Sequence, residues 1–393
     1  MRLFAMLVAA STAIFAPAAS ADPEIPVVSE RFREDVPIPT FRADVGWPKL
    51  PDDVILGQMP GIAVDREDHI WVIHRPNSLT PLEAGLAQEP PTAVSCCRPA
   101  AHVLRFDATG NLVASWGGPE HAPTIDGINQ WPANVHGIYI DNDMTVWIAG
   151  NGDGDHVALN FTSDGTFLRQ IGRREATGGN DSEALLGNPA DIADNGASVL
   201  VADGYINKRI AAFDAETLDY LRAWGAYGGT PDAPVREGTF DQSQATSTGD
   251  GGANPESTSF GDIVHCVVRG PDDEIYVCDR RNNRLQLFRE TGDGIEFVRD
   301  VVIAPETGGL RTASDVAFSP DGAYLYVADM MNAKVWILLR ETHEVIGSFG
   351  RVGRYPGQFF WLHSVDVDSE GNVYTSEVGT GRRIQRFVFT GLE

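Results

Sequence analysis

Three histidines, His136, His265 and His363, each open a short apolar run: His136-Gly137-Ile138-Tyr139-Ile140, His265-Cys266-Val267-Val268-Arg269 and His363-Ser364-Val365-Asp366-Val367. The same opening position recurs three more times without histidine, at Pro60, Ala190 and Ser314. In chain order the leads read Pro60, His136, Ala190, His265, Ser314, His363, so histidine occupies every second copy. If six copies close into a ring, alternate copies stand about 120° apart and three imidazoles face one axis. Three imidazoles with a fourth position open is the donor pattern of a catalytic zinc site. No cysteine or methionine shares the phase, which favours zinc over copper and leaves iron and manganese as alternatives.

A second register lies at the end of the strand that follows each lead. It reads Ile73-His74-Arg75 in copy one, Asp203-Gly204-Tyr205 in copy three, Asp279-Arg280 in copy four and Asp329-Met330 in copy five. Arg75, Tyr205 and Arg280 would reach the channel mouth beside the histidines. Asp203, Asp279 and Asp329 are read as residues that tie turns. His69, His74, His102, His121, His156 and His343 fit neither phase and are read as surface or turn histidines.

The elements that must position these residues are strands. Each copy alternates apolar and polar residues in four short runs, with Gly, Asn and Asp at the turns, which is the period of strand rather than helix. The leads are 76, 54, 75, 49 and 49 residues apart. The base unit of 49 lies in the range of propeller blades, and the two long spacings hold loop insertions at 76–101 and 228–259. The expected fold is all-β, a six-bladed β-propeller over 60–393. A proline-rich strap at 22–59 leads into it. Either the last strand, near 383–389, or the strap should complete the closing blade, because an open sheet edge invites pairing with another chain.

Composition narrows the partners. The net charge is −25, and 22% of the residues are charged, which argues against nucleic acid and anionic membrane surfaces. An anionic ligand would have to be captured by a few placed arginines. Residues 1–21 carry one positive charge, an apolar run and the small-x-small site Ala19-Ser20-Ala21, so they read as a secretory signal peptide. No later run is long enough to span a membrane, and the expected location is secreted or periplasmic. Cys266 and Cys278 flank the Gly270-Pro271-Asp272-Asp273 turn and can pair across a hairpin there. Cys96-Cys97 is read as a structural pair, free or mutually bonded.

Taken together, these residues resemble the peptidyl-α-hydroxyglycine α-amidating lyases, six-bladed propellers of the NHL-repeat type. The likeness runs from about Trp47 to Phe389. It is carried by Leu56-Gly57-Gln58, Ile73-His74-Arg75, Val135-His136-Gly137-Ile138, Asp203-Gly204-Tyr205 with Asn207 and Arg209-Ile210, and Asp279-Arg280 with Asn283-Arg284. The resemblance implies zinc held by His136, His265 and His363, and an active site containing Arg75, Arg280 and Tyr205. It implies cleavage of an α-hydroxyglycine carbinolamide to an amide and glyoxylate, from a small-molecule or peptide substrate bearing a carboxylate. Ser364 stands where the family has an aspartate that reaches calcium, so calcium is not expected there. Ile206 replaces a family cysteine, and a hydroxyglycine substrate is expected to come from an oxygenase elsewhere. On the residues alone, Arg75 or Arg280 would hold the carboxylate and Tyr205 would serve as base. Two other readings stand beside this one: a non-catalytic propeller binding a peptide or envelope partner around a structural metal, and a metal-dependent hydrolase.

Overall fold

A computed structural model of the chain describes residues 24–27, 29–231, 257–292, 294–309 and 312–393. Residues 1–21, expected to be a signal peptide, and most of the insertion at 228–259 fall outside these residues. Each repeat folds as four antiparallel strands, as its alternation requires. Blade one is Gln58–Val64, Ile70–Arg75, Val103–Phe106 and Leu112–Trp116. Blade two is Val135–Ile140, Val146–Gly150, Val157–Phe161 and Phe167–Gly172; blade three is Asp191–Asp194, Ser198–Asp203, Arg209–Asp214 and Tyr220–Trp224. Blade four is Val264–Arg269, Glu274–Asp279, Arg284–Thr291 and Gly294–Val302; blade five is Asp315–Phe318, Tyr324–Asp329, Lys334–Leu339 and Val345–Phe349. Blade six takes Leu362–Val367, Val373–Glu377 and Ile384–Leu392 from the end of the chain.

The six innermost strands contact one another in sequence order, and the sixth returns to the first, so the ring is closed. The protein is therefore a six-bladed β-propeller, with no α-helix among the described residues. The second strand of each blade is covered on both faces by neighbouring sheets. Runs such as Ile70-Trp71-Val72-Ile73 and Ser198–Asp203 are accordingly buried throughout. Trp71, Trp147, Tyr276, Tyr326 and Tyr374 fill the wedges between blades. No helix among the described residues is long and apolar enough to cross a membrane.

The strap closes the ring. Pro39–Asp44 pairs with Ile384–Leu392 as the fourth strand of blade six. Glu24–Pro26 adds a fifth strand outside it, and Ser29–Arg31 covers the edge of blade five. Cys266 and Cys278 are joined, with their Cα atoms 4.8 Å apart, and Cys96 and Cys97 are joined to each other.

Candidate metal centre and anion pocket

Each histidine lies where the inner strand slips its register against the second strand. In blade two the pairing jumps from Val135↔Gly150 to Ile138↔Ile148, so His136 and Gly137 oppose Ala149 alone. In blade four it jumps from Val264↔Asp279 to Val267↔Val277, and in blade six from Leu362↔Glu377 to Ser364↔Ser376. A bulge re-aims a side chain off the ladder, and here it turns each imidazole into the channel. The inner strands of blades three and five show no such slip, while that of blade one slips between Gln58 and Gly61 and carries no histidine there.

The blades without histidine supply the acceptors that orient the ring. His136 Nδ1 donates to the Ala190 carbonyl at 2.7 Å, His265 Nδ1 to the Ser314 carbonyl at 2.6 Å and His363 Nδ1 to the Pro60 carbonyl at 2.6 Å. The leads of blades three, five and one thus hold the leads of blades two, four and six. A carbonyl oxygen only accepts, so every Nδ1 carries the proton and every Nε2 presents a lone pair. These ligand atoms lie within 4.8 Å of one another. His265 Nε2 and His363 Nε2 are 3.2 Å apart. Two lone pairs at that distance repel unless an electrophile lies between them. Two nitrogens bound tetrahedrally to zinc at 2.0–2.1 Å would be separated by about 3.3 Å. The donor set therefore fits a divalent metal of the zinc type. Burial is the main reason all three imidazoles are held well below their ordinary range; the neighbouring imidazoles and the guanidiniums of Arg75 and Arg280 add to it. They stay neutral and ready to coordinate.

The structure also brings Tyr205, Arg75 and Arg280 to this centre. Tyr205 Oη lies 2.7 Å from His136 Nε2 and is the donor, since that nitrogen has no proton to give. The Arg280 guanidinium bonds Tyr205, and its own Nε is buried without a partner. Arg75 donates Nε–H to the Val135 carbonyl at 2.8 Å and reaches Gln58 Oε1 at 3.0 Å and Asn151 Oδ1 at 3.4 Å. Burial draws Arg75 down to about 10 and also lowers Arg280. Among the described residues, neither guanidinium forms an ion pair. Two buried cations beside the histidines without a carboxylate partner leave an anion as the natural ligand.

The aspartates of the second register tie the turns that carry these groups. Asp203 accepts from Asn207 Nδ2 at 2.7 Å, Arg209 Nε at 2.8 Å and the Gly187 amide at 2.6 Å. Arg209 spans onward to the carbonyls of Asn180, Ser182 and Leu185. Gly204 then passes blade four so closely that a Cβ would lie 2.0 Å from the Val264 carbonyl oxygen, which only glycine permits. In blade four, Asp279 gathers Asn282 and Arg284 in the same way, and Arg280 stands on the turn between. Asp329 binds Asn332 and Trp336 Nε1 instead of an arginine.

Three features escaped the sequence. His74, read as a surface or turn residue, is fully buried: its Nε2 accepts from the Gly57 amide at 2.6 Å and its Nδ1 faces the Ala100 and Ala101 carbonyls. The same strand-end register that drew attention to Arg75 also contained it. Asn151, which holds Arg75 together with Gln58, gave no signal, and Gln58 stood out as part of Leu56-Gly57-Gln58 but not as a partner of Arg75. Below the histidines the channel, about 310 Å³, carries Asp191, Asp315 and Asp366. Burial pushes Asp315 up to about 6, Asp366 up to about 7 and Asp191 well above the usual carboxylate range. Ser364 does not face a free channel position: its hydroxyl donates to Asp315 at 2.6 Å.

With fold and site described, the class is a six-bladed β-propeller with a buried trihistidine cluster. No protein-family model matches the chain. It is 24% identical over 362 residues to NHL repeat-containing protein 3 of Mus musculus, covering 89% of this chain and 84% of that protein. To NHL repeat-containing protein 3 of Homo sapiens it is 23% identical over 359 residues, covering 88% and 84%. A solved streptogramin B lyase structure aligns over 93% of this chain and 98% of that one, with 10% identity and a TM-score of 0.49.

Proposed function

We propose that this protein is an exported, zinc-dependent carbon–nitrogen lyase that cleaves an α-hydroxyglycine carbinolamide to an amide and glyoxylate. The observation that carries this reading is one hydrogen-bonded row, Arg280 to Tyr205 to His136, ending on converging Nε2 lone pairs, with the unpaired Arg75 alongside. The two disulfides suit an oxidising compartment.

The chain's own groups divide the work. His136, His265 and His363 hold the metal through Nε2. A bound zinc supplies Lewis acidity toward a hydroxyl, making its proton easier to lose. Arg75 and Arg280 bind the substrate carboxylate and fix the α-carbon between them and the histidines. As the phenolate, its own proton released to solvent when a metal takes the His136 Nε2 lone pair, Tyr205 Oη takes the α-hydroxyl proton. The electron pair of that O–H bond forms the aldehyde C=O, the C–N pair leaves on the amide nitrogen, and that nitrogen receives the proton from Tyr205. No water is consumed, and the two products sum to the substrate. Walls of packed β-sheet keep bulk water from the reacting carbon.

The test is to incubate metal-loaded protein with α-hydroxyhippurate and measure glyoxylate and benzamide. Equal yields of both are expected, lost in His363→Ala. An absence of glyoxylate from the metal-loaded wild type overturns the reading.

A further inference from the structure

The residue after each metal-facing histidine holds the bulge that aims it, and each blade uses a different device. In blade two it is Gly137, packed so tightly that a Cβ would lie 2.4 Å from the Ala190 carbonyl oxygen, the acceptor of His136 Nδ1. In blade six it is Ser364, whose hydroxyl donates to Asp315 at 2.6 Å across the blade boundary. In blade four it is Cys266. The register slip leaves His265 and Cys266 opposite Cys278 alone, and the disulfide spans that point. Cys278 in turn precedes Asp279 and Arg280, so one covalent bond links the strand bearing an imidazole to the strand delivering a guanidinium. Both cysteines are buried with Tyr276, Leu285, Leu287 and Val301, and bonded to each other they offer no thiolate to a metal.

We propose that the Cys266–Cys278 disulfide is a positioning element of the metal centre: it fixes the blade-four bulge so that His265 Nε2 converges with His363 and His136. It acts through His265 and touches neither metal nor substrate. A two-against-one bulge leaves a residue without ladder hydrogen bonds, and without the cross-link that segment can relax toward regular pairing. Such relaxation swings His265 away from the Ser314 carbonyl and from the other two nitrogens. The inference rests on the reading of the trihistidine cluster as a metal site, but not on the reaction assigned to it.

The experiment measures zinc affinity by competition with a chromophoric chelator, and the visible spectrum of cobalt-loaded protein. It compares wild type, Cys266→Ala/Cys278→Ala, and Leu287→Ala, a cavity variant of the same cluster with an intact disulfide. Removing supports that orient a ligand weakens metal binding by about 10- to 100-fold. That loss and an altered cobalt spectrum are expected for the double variant. Leu287→Ala should lose melting temperature yet keep its affinity within about twofold. A folded double variant with wild-type affinity and spectrum overturns the proposal, as does an equal loss of affinity in Leu287→Ala. If the double variant does not fold, zinc release from the Cys96→Ser/Cys97→Ser protein is followed before and after reduction, with free thiols counted by mass. Unchanged release with both thiols exposed overturns the proposal. Failure of wild type to bind zinc at all sinks the metal reading instead, so the two failures are distinct.

Discussion

Replacing Tyr205 by phenylalanine separates the possible roles of that residue, because the structure sets two effects of opposite sign. Tyr205 Oη donates to His136 Nε2 at 2.7 Å, and His136 Nδ1 is committed to the Ala190 carbonyl. The lone pair that accepts the phenolic proton is the one a metal would take, so the hydroxyl and the metal compete for it. A neutral hydrogen bond contributes about 0.5–1.5 kcal/mol net. Tyr205→Phe should therefore tighten zinc binding by about 2- to 13-fold. Turnover should move the other way. Losing a positioned acid–base group lowers kcat by about 10² to 10⁴. Phenylalanine fills nearly the same volume at a site only 5% exposed, so packing is conserved and the fold should be unaffected. Chelator competition reads the first effect and glyoxylate release by fully loaded protein reads the second. Weaker zinc binding would mean that Tyr205 is itself a ligand. Wild-type turnover would remove it as the base, and no change in either quantity would make it a wall residue.

Arg280→Met should raise KM for a carboxylate-bearing substrate by at least about tenfold, with a smaller effect on an analogue lacking the carboxylate; equal effects on both would refute the anion assignment. Arg209→Met should cost about 3–5 kcal/mol in denaturant unfolding, because it leaves Asp203 buried without its cation. Asp203→Asn in the same chain should recover part of that loss, and a single-variant cost under about 1 kcal/mol contradicts the argument. Asp366 has a folded-state pKa of about 7 against an ordinary value near 3.8, so the folded protein keeps a proton that the unfolded chain has released. Its contribution to stability is complete below about pH 4 and is lost as pH rises toward 7. Asp366→Asn should then melt progressively higher than wild type between pH 4 and pH 7, and parallel melting curves would be inconsistent with the shift. Calcium-selective chelation should leave the melting temperature within about 1 °C, since Ser364 supplies no carboxylate to a hard cation.

The blade count and the grouping of the histidines were legible because both are matters of phase. A lead residue recurring at about one blade length, with histidine in alternate copies, fixes their angular relation once the ring closes. Tyr205 and Arg280 were legible for a similar reason, since strand ends at one register meet at one mouth. What orients these groups was not legible. The Pro60, Ala190 and Ser314 acceptors are backbone carbonyls, and a backbone atom leaves no trace in residue identity. Gln58 meets Arg75 as its cross-strand neighbour in blade one and Asn151 reaches it from blade two, pairings that only the fold sets. His74 looked like a turn histidine because its partners, Gly57 and the carbonyls of residues 100 and 101, are brought to it only by the fold. The carboxylates of Asp191 and Asp315 follow non-histidine leads, so a search centred on imidazoles passed over them.

Pairing of Pro39–Asp44 with Ile384–Leu392 has a consequence for when the centre can exist. His363 takes its orientation from Pro60, across the seam where the last blade meets the first. Until the final strand has been made and has found its partner near the beginning, that carbonyl and that imidazole lie some three hundred residues apart along an open chain. A growing polypeptide can assemble blades two to five, yet it offers at most two oriented imidazoles. Capture of a metal at these nitrogens would thus be tied to completion of the circle: only a finished ring presents all three at once, and a truncated product would be barred from loading by its own topology.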